Sequence, residues 1–109
     1  MSSKYEYRMT PLASQDMDSA LGYIAENLCN EKAARELYFG IERGIETICE
    51  FPYSSPDCKL FLITDEKIRH ILIDNYALIY EIKEEEKEIV ILRFRFSKMN
   101  LKKVKLTEE

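Results

Sequence analysis

Ile68-Arg69-His70-Ile71-Leu72-Ile73-Asp74-Asn75-Tyr76-Ala77-Leu78-Ile79-Tyr80-Glu81-Ile82-Lys83 decides the fold of this chain. Two runs rich in aliphatic and aromatic side chains flank Asp74-Asn75, a dipeptide suited to tight turns, and the stretch therefore reads as a β-hairpin. Toward the C-terminus, the charged segment Glu84-Glu85-Glu86-Lys87 is a second turn, and Glu88 to Phe96 is another strand-like run. Strands over about 67–73, 76–83 and 88–96 thus make an antiparallel meander. A two-residue turn at 74–75 and a four-residue turn at 84–87 pair 71 with 78, 69 with 80, 80 with 91 and 78 with 93.

That register distributes the side chains. One face collects His70, Leu72, Ala77, Ile79, Val90, Leu92, Phe94 and Phe96, an apolar set expected beneath covering helices. The other collects Arg69, Tyr80, Arg93 and Arg95 among Ile71, Leu78 and Ile91. Three guanidinium groups and a phenol on an uncovered face suit an anion, because guanidinium grips phosphate or carboxylate through a planar fork of donors.

Toward the N-terminus, Pro and Ser punctuate Phe51-Pro52-Tyr53-Ser54-Ser55-Pro56-Asp57 as a loop, with a short strand expected at Leu60–Ile63. Before the loop lie two helices. Thr10 and Pro11 form a cap and first-turn pair, after which Ala13, Met17, Ala20, Leu21, Ile24 and Leu28 recur at helical spacing. Asn30 caps a second helix carrying Ala34, Leu37, Ile41, Ile45 and Ile48, and Pro52 closes it. The connection is short, so the pair is expected as an antiparallel hairpin laid on one face of the sheet. Tyr5, Tyr7 and Met9 alternate with polar residues and predict a first strand. The expected fold is α+β: an N-terminal strand, a two-helix hairpin, and a mainly antiparallel sheet ending in the meander.

At 109 residues, with 46% hydrophobic and 33% charged side chains, the chain suits one domain spanning 1–109, with a basic tail from about residue 97. No apolar run approaches a membrane span or a signal peptide, which predicts a cytoplasmic protein with no membrane contact. Cys29, Cys49 and Cys58 are odd in number and widely spaced. They are expected as reduced thiols, with Cys29 and Cys49 in the helical core. A single histidine and the absence of paired Cys or Cys-His spacing argue against zinc, and no cofactor is expected. The net charge of −4 argues against a general nucleic-acid coat. Residues 93–109 nevertheless hold six basic and two acidic side chains, so any anionic partner is expected to meet that end, a solubilising tail being the plainer reading.

The order strand, helix hairpin, proline loop and meander resembles the RelE/ParE superfamily of toxins from type II toxin–antitoxin modules. The resemblance covers nearly the whole chain. It rests on Tyr7 to Thr10, Ala13 to Ile24, Ala33 to Ile48 and Phe51-Pro52, and most specifically on Ile68 to Ile82 with Val90-Ile91-Leu92-Arg93. It implies a growth-arresting toxin restrained by a cognate antitoxin, whose flexible acidic segment adds along a sheet edge or lies beside the helices.

Nuclease members of the superfamily cleave messenger RNA on the ribosome without a metal, the ribose 2′-OH attacking the adjacent phosphate. Such chemistry needs a general base, a general acid and cations for the charge developing on phosphorus. Arg69 and Arg93 match the two family arginines that would supply the cations. Tyr80, on the same predicted face, is the accompanying catalytic candidate, with a packing role as its plainer reading. Arg95, Lys98, Lys102 and Lys103 are candidates for binding substrate or partner. Where nuclease members carry His or Tyr shortly after the last strand's arginine, this chain has Phe94-Arg95-Phe96-Ser97-Lys98. His70 cannot fill that place, because alternation turns it away from Arg69. Three readings follow from the resemblance: ribosome-dependent messenger RNA cleavage first, then a ParE-like inhibitor of DNA gyrase acting by binding, then a weakened toxin kept for antitoxin binding and autoregulation.

Overall fold

A computed structural model describes residues 4–54 and 67–97. Its elements are β1 (Glu6–Met9), α1 (Pro11–Gly22), α2 (Glu31–Glu50), β2 (Ile68–Ile73), β3 (Tyr76–Lys83) and β4 (Glu88–Phe96). Both helix starts follow from their caps. The Thr10 hydroxyl accepts from the Ala13 amide at 3.1 Å, and the Asn30 side chain accepts from the Ala33 amide at 3.0 Å. α1 runs on into a π-helical turn over Tyr23–Asn27. Cys29 then takes a left-handed φ of 50° and breaks the chain away from helix. Cys29 is consequently exposed, which corrects its expected place in the core; Cys49 is buried.

The sheet order is β1-β4-β3-β2, with β1 parallel to β4 and the remaining pairs antiparallel. The fold is α+β, with two helices against a four-stranded mixed sheet, as the sequence predicts. The β2–β3 register pairs Arg69 with Tyr80 and Ile71 with Leu78, as expected, around a turn whose Asp74 has φ 54°. The β3–β4 register keeps Tyr80 opposite Ile91 but then slips, setting Ile79 opposite Arg93 and Leu78 opposite Phe94. Leu92 is the extra residue of this bulge, so the expected pairing of 78 with 93 is displaced by one.

The helices cover the sheet face opposite to the one predicted. The core joins Ala13, Met17 and Ala20 of α1 and Leu37, Ile41, Ile45, Ile48 and Cys49 of α2 to Ile73, Leu78, Tyr80, Ile82, Ile89, Ile91 and Phe94 of the sheet. Of the set expected there, Phe94 is present because the bulge returns it to this side. Ala77, Ile79, Val90 and Leu92 are buried outside that cluster, while Leu72 and Phe96 are exposed. The reversal has a simple cause: β3 is apolar at every position from Tyr76 to Ile82 except Glu81, so alternation offers little contrast between faces. Gly40 and Gly44, one helical turn apart, let α2 lie close on β2; a Cβ at Gly44 would sit 2.9 Å from an Ile73 methyl. β1 departs from strict alternation. Tyr5 is buried and Met9 packs on the core, but Tyr7 is half exposed. The expected strand at Leu60–Ile63 lies outside the described residues, as does Cys58.

Candidate functional site

β1 ends at Met9, opposite Ile91, and leaves the remainder of β4 without a strand neighbour on that side. α1 takes over the edge. The Thr10 hydroxyl donates to the Leu92 carbonyl at 3.0 Å, which satisfies the residue extruded by the bulge. One turn into α1, Asp16 accepts the Phe94 amide at 3.1 Å. The same carboxylate takes a two-pronged contact from Arg93, Nε to Oδ2 at 2.7 Å and Nη2 to Oδ1 at 3.1 Å, and a longer one from Arg95 Nη1 at 3.4 Å. The Asp16 and Arg93 side chains are only 10% and 9% exposed, whereas that of Arg95 is 29% exposed. This buried, fork-shaped pair draws its strength from geometry.

The other predicted residues lie elsewhere. Arg69 opens β2 on the helix-covered side. Its guanidinium stands 5.1 Å from the centre of the Tyr53 ring, with Nη1 donating to the Tyr53 carbonyl at 3.5 Å. Tyr80, opposite it in the register, is fully buried, and its hydroxyl donates to the Pro52 carbonyl at 2.7 Å. The plainer reading of Tyr80 as a packing side chain is the one its burial and this hydrogen bond express. Arg69 and Tyr80 do share a face, but the predicted grouping with Arg93 and Arg95 does not form. The register puts Arg93 beside Ile79 and His70, on the side away from Arg69, because the bulge changes the parity of β4. Lys98, Lys102 and Lys103 lie outside the described residues.

His70 is turned away from Arg69, as alternation predicts. Its Nδ1 is buried without a hydrogen-bond partner, and burial lowers the pKa of the imidazole. Among the described residues, no group of three or more His, Cys, Asp or Glu side chains is placed to hold a metal ion. No helix among them is long and apolar enough to cross a membrane.

Sequence reasoning missed two carboxylates. Asp16 sits beside the apolar stripe of α1, and nothing local announces its reach to β4. Glu84, in the turn between β3 and β4, is drawn into a second cluster. Its Oε1 accepts from the hydroxyls of Tyr5 at 2.6 Å and Tyr53 at 3.0 Å, and its Oε2 accepts from Lys87 Nζ at 2.8 Å. Lys87 Nζ also lies 5.0 Å from the Tyr5 ring centre. The hydrogen bond from Lys87, followed by those from the two phenols, holds the Glu84 carboxyl down to about 2. The phenols respond in the opposite sense: Tyr5 is raised chiefly by its bond to Glu84, and Tyr53 chiefly by desolvation.

A family model described as the ParE toxin of the type II toxin–antitoxin system parDE matches residues 7–101. Among solved structures, the chain resembles one from the chromosomal ParDE system of P. aeruginosa, with a TM-score of 0.66 and 16% identity over 87% of this chain and 98% of that one. It also resembles a chain of the RelBE2 toxin–antitoxin complex of Mycobacterium tuberculosis, with a TM-score of 0.57 and 19% identity over 85% of this chain and 98% of that one. No curated protein matches it significantly in sequence.

Proposed function

The chain belongs to the ParE toxin family of type II toxin–antitoxin systems, and from that premise we propose that it arrests growth by binding DNA gyrase rather than by cutting messenger RNA. One observation carries this reading. Two of the three groups that phosphate cleavage would draw on are engaged in the fold, Arg93 by the Asp16 carboxylate and the Tyr80 hydroxyl by the Pro52 carbonyl. A buried guanidinium already held by a carboxylate is poorly placed to meet a developing phosphorane, and a phenol donating to a buried carbonyl is poorly placed to pass a proton. Binding needs neither. It needs surface complementarity and a few anchoring side chains.

Arg95, less buried than Arg93 and sharing its carboxylate, and the basic residues Lys98, Lys102 and Lys103 that follow it in sequence are the anchors this reading selects. The antitoxin, its second partner, is proposed to lay a flexible segment along β1, the edge strand, where Tyr7 of the strand and Phe39 of α2 stand half exposed.

Purified protein tested side by side for gyrase supercoiling and for messenger RNA integrity on translating ribosomes decides between the readings. Inhibited supercoiling or gyrase-linked DNA breaks with intact messages is the expected outcome. Arg95→Ala combined with Lys102→Ala and Lys103→Ala should weaken that effect, and Arg69→Ala should leave it unchanged. Discrete cuts positioned by codon, with gyrase unaffected, would overturn the proposal in favour of ribosome-dependent cleavage.

A further inference from the structure

The Glu84 cluster has the make-up of a binding site. Four stretches of chain far apart in sequence contribute to it: Tyr5 just ahead of β1, Tyr53 in the loop after α2, Arg69 at the start of β2, and Lys87 in the turn between β3 and β4. Two hydroxyl donors converge on one carboxylate oxygen and an ammonium on the other, with a guanidinium against the outer phenol. Two hydroxyls and an ammonium around one carboxylate are the elements by which proteins recognise oxyanions.

The turn does not need that carboxylate. The Lys87 amide donates to the Glu84 carbonyl at 3.1 Å and closes the loop through the backbone, with Lys87 at φ 51°. The Glu84 side chain is 45% exposed, so it can swing into solvent without unpacking the core. Tyr5, by contrast, is 9% exposed and fixed at the edge of the core, so its hydroxyl stays in place whether or not Glu84 is there.

We propose that Tyr5, Tyr53 and Lys87 form an oxyanion-binding site that Glu84 occupies as an internal ligand, and that a carboxylate or phosphate group of a partner takes its place. The inference is independent of whether gyrase or RNA is the toxin's target. Competition sets the selectivity. A side chain tethered one short turn away presents an effective concentration on the order of millimolar or above, so a free anion at lower concentration loses to it. A partner held by additional contacts does not. Glu85 and Glu86 beside the site weaken long-range attraction, which leaves recognition to the short-range geometry of the donors.

Glu84→Ala tests this in the intact chain. Isothermal titration calorimetry reads the binding, because it does not depend on the phenols that the variants remove. Inorganic phosphate and acetate, titrated separately at constant ionic strength with chloride as control, should each bind Glu84→Ala saturably and the parent protein at least about tenfold more weakly. Adding Lys87→Ala, or Tyr5→Phe with Tyr53→Phe, to Glu84→Ala should weaken that binding at least about tenfold. Tighter acetate binding assigns the partner's group as a carboxylate, and tighter phosphate binding assigns it as a phosphate; either supports the site. A folded Glu84→Ala that binds neither anion would overturn the proposal, as would binding indifferent to Lys87 and the two phenols. An unfolded Glu84→Ala would also overturn it, since it would make Glu84 a strut rather than a displaceable ligand.

Discussion

Asp16 and Glu84 are the same chemical device in two settings. Each is a carboxylate that gathers donors from distant parts of the chain, Asp16 at the β4 edge and Glu84 at the turn between β3 and β4. Asp16 and its main partner are almost wholly removed from water, whereas Glu84 is nearly half exposed. Burial decides what each can do. Removing one member of a buried pair strands the other charge in a poor solvent, while an exposed pair trades its partners for water at little loss. The first therefore fixes structure and the second is free to exchange.

The largest effect that would break this contrast lies at Asp16. Asp16→Ala should destabilise the protein by about 3–5 kcal/mol in urea denaturation, because it leaves Arg93 buried and the Phe94 amide unpaired. Arg93→Ala should cost a similar amount, and the double variant less than the sum of the two. A loss at Asp16 no larger than that of Glu84→Ala would show that burial is not what separates the clusters.

A smaller effect sharpens the comparison between the two tyrosines that meet at the loop after α2, Tyr53 of the loop and Tyr80 of β3. Tyr80→Phe leaves the buried Pro52 carbonyl without its donor and should cost about 1–3 kcal/mol. Tyr53→Phe, at a half-exposed ring, should change the urea midpoint little. Equal losses would mean that the loop after α2 is held through Tyr53 as firmly as through Tyr80.

Much of this architecture can be read locally, and the site largely cannot. Thr10 and Asn30 announce the helix starts, the Leu37-Ile41-Ile45-Ile48 stripe announces the buried side of α2, and Asp74-Asn75 sets a register that needs only a count of residues. The covered sheet face is not legible, because Ala77, Leu78, Ile79 and Tyr80 are all fully buried and nothing in their chemistry ranks one side above the other. The Leu92 bulge is invisible for a related reason: it lies within Val90-Ile91-Leu92, where any phase of alternation is apolar. Arg93 is recognisable as a residue of interest, but its environment is set by Asp16, 77 positions earlier, and no local pattern encodes a pairing of that range.

The smallest effect is one of pH. The Glu84 carboxyl lies at about 2 in the folded chain against an ordinary 4.5, so its contribution to stability is present above pH 4.5 and is lost as pH falls toward 2. The difference in urea midpoint between the parent and Glu84→Gln should accordingly be constant at neutral pH and shrink through that interval. A difference that persists unchanged at the acid end would mean that Glu84 acts through something other than its charge.

The parallel pairing of β1 with β4 also bears on how the molecule comes into being. Tyr7 pairs with Ile89, 82 positions later, and α1 is anchored to the same late strand through Thr10 and Asp16. During synthesis at roughly 5–20 residues per second, the opening strand therefore waits about 4–16 s for the segment that receives it. Until β4 is made, neither β1 nor α1 has its strand partner, and a chain interrupted before that point cannot assemble the sheet. Completion of the toxin fold is thus tied to the translation of β4.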